Sequence, residues 1–413
     1  MSSIFTKVPY IPPDAIFELT KKYNADPAVE KVNLGQGTYK DENGNPWVLP
    51  AVKVAKKEIE GTDHEYLPIL GLALFRTLAT GLLFGEDAVV IKERRVASCQ
   101  ALSGTGALHT AGNMLYRAAQ IAGDTVPAVY ITNPTWSNHR QVFESIGFPV
   151  QEYTYLTTDA DGIDMDSLTQ TLTQAPVNSI FVFHASAHNP SGWDPTPEQW
   201  KNIGKIVKER HLFSIFDAAY LGLTSGDFNT DAFAIRYFVE ELKVEVAVCL
   251  SFAKSLGLYG ERIGLCAFVT SSPTTAVAVE STLAQLIRAE ISNPPAFGAR
   301  IVAAVLDNQE SRSEWENNLR TMSDRIQGMR EALYVTLMEL GTPGNWERIT
   351  HQKGMFCVLG LRLEEVLHLR EKYHIYMADS SRVSIAGLNP GNVRYVAECI
   401  DKTVRNFRTK EIA

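Results

Sequence analysis

The 413-residue sequence predicts an α/β protein with a large, mostly parallel, doubly wound sheet and a smaller α+β domain. Two observations carry that prediction. From about residue 51 to 310, short β-branched or apolar runs alternate with amphipathic stretches, the pattern of strands joined by helical crossovers. Beyond 310 the pattern gives way to one long amphipathic stretch, then short strands and further helices. A chain of this length exceeds what one simple core organises. The expected division is an N-terminal arm with part of the small domain (1–50), a large domain (51–310) and a small C-terminal domain (311–413).

Taken in order, the first fifty residues are loop-rich, and Asn43-Gly44 within DENGNPW has the chemistry of a tight reversal. Residues 94–102 read as a strand and 106–123 as a helix. Residues 128–134 give a strand and 137–147 a helix, then 179–187 a strand and 197–210 a helix. Residues 212–220, 244–252 and 262–269 continue the strands. A long amphipathic helix over 313–341 stops at Gly341, a common helix terminator. Short strands follow within 354–361 and 382–388. No internal repeat or low-complexity tract interrupts this order.

Composition removes several classes of function. The net charge is −8 and no basic stripe offsets it, which argues against a nucleic-acid partner. Five cysteines lie scattered without CxxC spacing, which fits reduced thiols better than a disulfide framework or a zinc site. No run approaches the roughly 18 apolar residues of a membrane helix. The N-terminus shows neither a signal-peptide core nor an Arg-rich leader, so a cytoplasmic location is expected.

In open parallel sheets, ligands bind beyond the carboxyl ends of the strands. Those ends are chemically capable here: Ser103-Gly104-Thr105, Asn133-Pro134-Thr135-Trp136, His188-Asn189-Pro190, Asp217 with Tyr220, and Ser251 with Lys254. A lysine just past an apolar strand is costly to bury unless it is paired, deprotonated or covalently used. A lone lysine would simply extend to water; Lys254 has Ser251 three residues before it and Arg262 eight after. Ser103-Gly104-Thr105-Gly106, between a strand and a helix, offers backbone amides and a positive helix end to an anion. On its own that turn is an ordinary capped one. Together with Ser251 and Arg262 it describes a phosphate site. Asp217, ending a strand, could bind a metal, cap a helix or pair with a cation. His184 and His188 lack metalloenzyme spacing, so no metal is expected, and a protonated heterocycle is the sharper partner.

The motifs YLPI, LSGTGAL, NPTWSNH, HASAHNPSGWDPTPEQW, FDAAYLG, SFAKSLGLYGERIG, RAEISNPP, GMFCVLGL and SIAGLNPGNV, in this order, resemble the aspartate aminotransferase family of fold-type I pyridoxal-phosphate enzymes. The likeness runs through nearly the whole chain. It implies that Lys254 binds pyridoxal 5'-phosphate as a Schiff base and then moves a proton between the substrate's α-carbon and the cofactor. It implies that Asp217 pairs with the pyridine nitrogen, backed by His139, while Tyr220 and Asn189 hold the phenolic oxygen and Trp136 stacks on the ring. Ser103, Gly104, Thr105, Ser251 and Arg262 would hold the phosphate, joined by Tyr66 of a neighbouring subunit in a homodimer with shared sites.

The same resemblance assigns substrate binding to Gly37, Trp136, Asn189, Arg382 and Arg288. Arg382 would take the α-carboxylate, and Arg288 of the other subunit the side-chain carboxylate. A planar guanidinium suits a carboxylate in a way an ammonium does not, and each such contact is worth about 1.5–3 kcal/mol. The implied reaction interconverts L-aspartate and 2-oxoglutarate with oxaloacetate and L-glutamate. Elimination or decarboxylation by the same cofactor, or a non-catalytic descendant, are the alternatives. The sequence departs from the family at Gln36, Trp193, Leu221 and Ser255-Leu256. Gln36, beside Gly37, is the departure expected to touch substrate and narrow or alter the preference.

Overall fold

The computed structural model describes residues 3–408. Its strands are β1 (Val32–Asn33), β2 (Val96–Leu102), β3 (Val129–Asn133), β4 (Val150–Thr154), β5 (Ile180–His184), β6 (Phe213–Ala218), β7 (Val246–Ser251), β8 (Ile263–Val269), β9 (Phe356–Val358), β10 (Ile375–Tyr376) and β11 (Arg382–Ser384). Seven of them form one sheet in the order β2-β8-β7-β6-β5-β3-β4. Strand β8 runs antiparallel to both neighbours, and every other pairing is parallel. Strands β2, β3, β5, β6 and β7 therefore present their carboxyl ends at one edge.

Strands β5, β7 and β8 are buried along their whole length, because helices cover both faces of a doubly wound sheet. That double burial is why they read as continuous apolar runs. Each face has its own core. Leu108, Ala111, Ile131, Cys249 and Leu283 lie on one side; Phe181, Trp200, Phe216 and Phe238 pack on the other, with Phe216 and Phe238 edge to face at 5.1 Å. Truncating one of these buried rings to alanine costs about 3–5 kcal/mol. The expected mostly parallel sheet is present. It has one strand the sequence did not announce, β4, whose Gln151 and Glu152 are exposed at the sheet edge.

The chain's first and last parts meet. Val32 and Asn33 pair in parallel with Ile375 and Tyr376, and β11 pairs antiparallel with β9. The Asn43-Gly44 reversal forms: Asp41 accepts from the backbone of Asn43 and Asn45, and Gly44 takes the positive φ of 80° that the turn demands. The long helix spans Gln309–Glu339 and begins four residues earlier than the pattern suggested, since Asn308 caps it by accepting from Glu310 and Ser311.

Candidate active site

The carboxyl edge of the sheet gathers side chains from five strand ends into one cavity. Ser103, Gly104, Thr105, Trp136, Asn189, Asp217, Tyr220, Ser251, Lys254 and Arg262 all line it. Sequence reasoning named each of them. It weighed His184 only as a metal ligand and did not name Ala219; both line the cavity too.

Asp217 sits near the end of β6 with 5% of its surface exposed. Its Oδ2 faces His139 Nε2 at 3.1 Å, while His139 Nδ1 is 2.8 Å from the Thr135 hydroxyl. Burial alone would raise the Asp217 carboxyl. The His139 hydrogen bond and the positive groups facing it outweigh that and hold it below the usual 3.8. The other oxygen, Oδ1, is buried without a hydrogen-bond partner, so the carboxylate keeps one acceptor for a cationic donor in the cavity.

Lys254 belongs to the short helix Phe252–Ser255 that follows β7. Trp315 fixes this turn by donating its indole N–H to the Ser255 carbonyl at 2.8 Å. The ammonium has no hydrogen-bond or ion-pair partner among the described residues and lies 4.8 Å from the centre of the Tyr220 ring. Burial lowers its pKa from 10.5; Asp217 opposes that and Arg262 adds to it. A lysine so placed is a better nucleophile and proton carrier at neutral pH than an exposed one. The Tyr220 hydroxyl is driven the other way, its pKa raised by burial first and by Asp217 second, so it stays protonated and able to donate.

Across the cavity is an anion cup. The helix Ser103–Ala122 starts directly at the end of β2, with Ser103 held at φ 60°, a conformation costly for a residue with a side chain. Its hydroxyl and that of Ser251 are 2.8 Å apart. At Gly104 a Cβ would stand 3.3 Å from Ser251 Cβ, so the backbone comes as close as a side chain would allow. Arg262, also at positive φ, donates to the Tyr259 carbonyl at 2.9 Å and completes the cup. Small residues, a helix N-terminus, hydroxyls and one guanidinium make a phosphate-shaped set of donors.

Arg382 lies beside this cavity rather than in its wall. It is buried, donates to the Gly35 carbonyl at 2.7 Å and to Asn189 Oδ1 at 3.3 Å, and its Nε is buried without a partner. Gly37 approaches the same neighbourhood: a Cβ there would meet Phe356 Cζ at 2.7 Å. Tyr66 and Arg288 are elsewhere. Tyr66 is 88% exposed, and Arg288, also exposed, donates to the Ser292 hydroxyl at 2.6 Å. Neither lines the cavity of its own chain.

Gln36 corrects an expectation. It lines a different cavity of about 500 Å³ with Tyr23, Asn33, Thr38 and Tyr395. The chain bends at Gly35 and Gln36, so that the Gly35 carbonyl faces Arg382 and Gly37 faces Phe356 while Gln36 lies against the other cavity. A second surprise concerns the histidines: ligand-capable atoms of His139, His184 and Asp217 lie within 4.8 Å of one another, a grouping their sequence separation did not suggest. Both His139 nitrogens are engaged by Thr135 and Asp217, and burial keeps the His184 imidazole neutral.

Comparison with known proteins agrees with this architecture. The chain is 46% identical over 391 residues, 94% of its length and 90% of the relative's, to the mitochondrial aspartate aminotransferase of Dictyostelium discoideum. It superposes with a TM-score of 0.94 on the aspartate aminotransferase from the cytoplasm of Saccharomyces cerevisiae, at 43% identity and covering 98% and 99% of the two chains. An aromatic-amino-acid aminotransferase from Burkholderia pseudomallei, covalently bound to pyridoxal phosphate, gives the same TM-score at 38% identity, covering 98% of this chain and 100% of that one. The family model "Aminotransferase class I and II" matches residues 29–400. The chain belongs to the class I and II aminotransferases.

Proposed function

We propose that the protein is a pyridoxal 5'-phosphate-dependent transaminase that interconverts L-aspartate and 2-oxoglutarate with oxaloacetate and L-glutamate. The observation that carries this reading is the pairing, in one cavity, of a half-buried Lys254 ammonium, unpartnered among the described residues, with an Asp217 carboxylate whose Oδ1 is free. The residues fit the cofactor at three independent places. The orphaned Asp217 oxygen suits a protonated ring nitrogen, the cup at Ser103 to Thr105 suits a phosphate, and Lys254 suits an aldehyde. When bound, the cofactor supplies that aldehyde and a pyridine ring able to absorb electrons.

The rest is work for this chain. Asp217, kept anionic by His139, holds the proton on the ring nitrogen. Ser103, Gly104, Thr105, Ser251 and Arg262 anchor the phosphate, and Trp136 covers the ring. Tyr220 and Asn189 donate to its phenolic oxygen. Lys254 would act as the base that takes the proton from the substrate's α-carbon and as the acid that gives it back. Arg382 clamps the α-carboxylate, with Asn189, Trp136 and the Gly37 backbone shaping the same side.

Arg288 and Tyr66 act in the neighbouring subunit of a homodimer, Arg288 on the distal carboxylate and Tyr66 on the phosphate. Their exposure supports that reading. So does the N-terminal segment, where Ile4, Phe5, Val8, Tyr10 and Ile11 are all more than half exposed, a concentration of apolar side chains that a second copy would cover. We place residues 1–50 as an N-terminal arm and part of the small domain, 51–310 in a large cofactor-binding domain and 311–413 in the small domain; the β1–β10 pairing supports the link between the first and last parts. A cytoplasmic site of action is supported by the yeast relative; the Dictyostelium relative is mitochondrial. No helix among the described residues is long and apolar enough to cross a membrane.

A half-reaction panel tests the activity. The cofactor-loaded protein is mixed with single amino acids, and absorbance follows conversion to the amine form. Aspartate and glutamate should convert fastest, alanine far more slowly. Release of ammonia or carbon dioxide instead of a keto acid would assign another reaction.

A further inference from the structure

We propose that Phe356 is the positioning residue for the Arg382 guanidinium, and that the buried Arg330 fixes where Phe356 stands. The inference rests on Arg382 receiving the substrate's α-carboxylate. Phe356 belongs to the GMFCVLGL segment, which the proposed reaction leaves without a task.

The Arg382 head is held on three sides. Gly35 and Asn189 accept from its Nη atoms, and its central carbon stands 4.4 Å from the centroid of the Phe356 ring. Hydrogen bonds at a guanidinium's edge set its direction, and an aromatic face beneath it limits tilt while attracting the charge. Its Nε is buried and has no hydrogen-bond partner among the described residues. The same ring meets Tyr220 edge to face at 5.9 Å and leaves no room for a side chain at Gly37. One side chain thus contacts groups from three segments assigned to substrate and cofactor.

Strand β9 has only three residues and cannot by itself hold a ring still. Arg330 supplies the anchor. It is 5% exposed and donates to the carbonyls of Ile349 (3.0 Å), Gly354 (2.7 Å) and Phe356 (3.1 Å). No carboxylate pairs with it among the described residues. A buried cation satisfied by carbonyls is an expensive way to hold a loop, one that a long apolar side chain would not reproduce. Gln352 clamps the other side, accepting from the Val358 N–H at 2.7 Å and donating to its carbonyl at 3.1 Å.

The test measures binding of 2-methyl-aspartate, which has no α-hydrogen to lose, to the cofactor-loaded wild type and to Phe356→Leu, Arg382→Lys and the double variant. Phe356→Leu should weaken binding about tenfold, raise KM for aspartate by the same factor and change kcat little. In the Arg382→Lys background the Phe356→Leu penalty should largely vanish, because the ring acts through the guanidinium. Arg330→Lys, which keeps the charge but loses the fork, should move the dissociation constant the same way by a smaller factor. It also serves as an independent arm should Phe356→Leu not fold. If Arg382→Lys leaves binding unchanged, the assignment of Arg382 itself fails. If Arg382→Lys weakens binding while Phe356→Leu acts undiminished in its background, or leaves binding untouched, the positioning role is wrong.

Discussion

The cavity at the sheet edge and the outer surface carrying Tyr66 and Arg288 are built on opposite principles. In the cavity, ten residues assigned to cofactor chemistry come from one chain and converge within reach of each other. On the outer surface, two residues assigned to the same site stand exposed and outside its lining, one of them bonded to a neighbouring serine. On the proposed reading a single chain supplies all of the cofactor site but Tyr66, whereas recognition of the second carboxylate needs a pair. The difference predicts that cofactor capture and dicarboxylate preference can be damaged separately.

The largest effect falls inside the cavity. Lys254→Ala should lower turnover by at least about 10⁴-fold, the upper range for a proton-transferring group, while leaving the fold intact by circular dichroism. Retained turnover would remove Lys254 from the reaction. Arg288→Ala should cost aspartate about 100-fold in kcat/KM, as expected for a charge-assisted pair, and cost alanine little. An equal loss on both would mean a structural role. Mixing the two variants sharpens the comparison further. After subunit exchange, each mixed dimer would own one site with both Lys254 and Arg288 intact, restoring about a quarter of all sites. Activity that stays at the sum of the parts would mean that Arg288 does not serve its neighbour.

The smallest effect is on pH. Because the folded pKa of Asp217 is depressed, its anionic form contributes above 3.8 and is lost only as pH falls through the lower folded value. His139→Phe removes the hydrogen bond that does most to hold it down and leaves burial opposed by the weaker pull of His184 and Lys254. The acid limb of the rate profile should then move to higher pH, with a loss of less than about tenfold at neutrality. An acid limb that does not move would show that His139 does not tune the carboxylate.

Much of this was legible in the sequence, for a physical reason. Doubly covered strands must be apolar throughout, so β5, β7 and β8 announce themselves, and the polar groups just past them mark the ligand edge. Strand β4 escaped because an edge strand with Gln151 and Glu152 facing solvent has no apolar run. The helix from Gln309 was placed late because its cap is Asn308 rather than an apolar repeat. Gln36 was misplaced because its setting depends on a bend at Gly35 and Gln36 and on Arg382 and Phe356, which meet the flanking glycines from more than 300 residues away. Phe356 stayed silent for a similar reason: an aromatic in an apolar segment reads as core until Arg382 is seen above it.

The central claim, that Lys254 carries the cofactor, has a direct chemical test. The protein is saturated with pyridoxal 5'-phosphate, reduced with borohydride, digested and mapped by mass spectrometry. A single phosphopyridoxyl label on Lys254 is the predicted result. A label on another lysine, or none, would contradict the account.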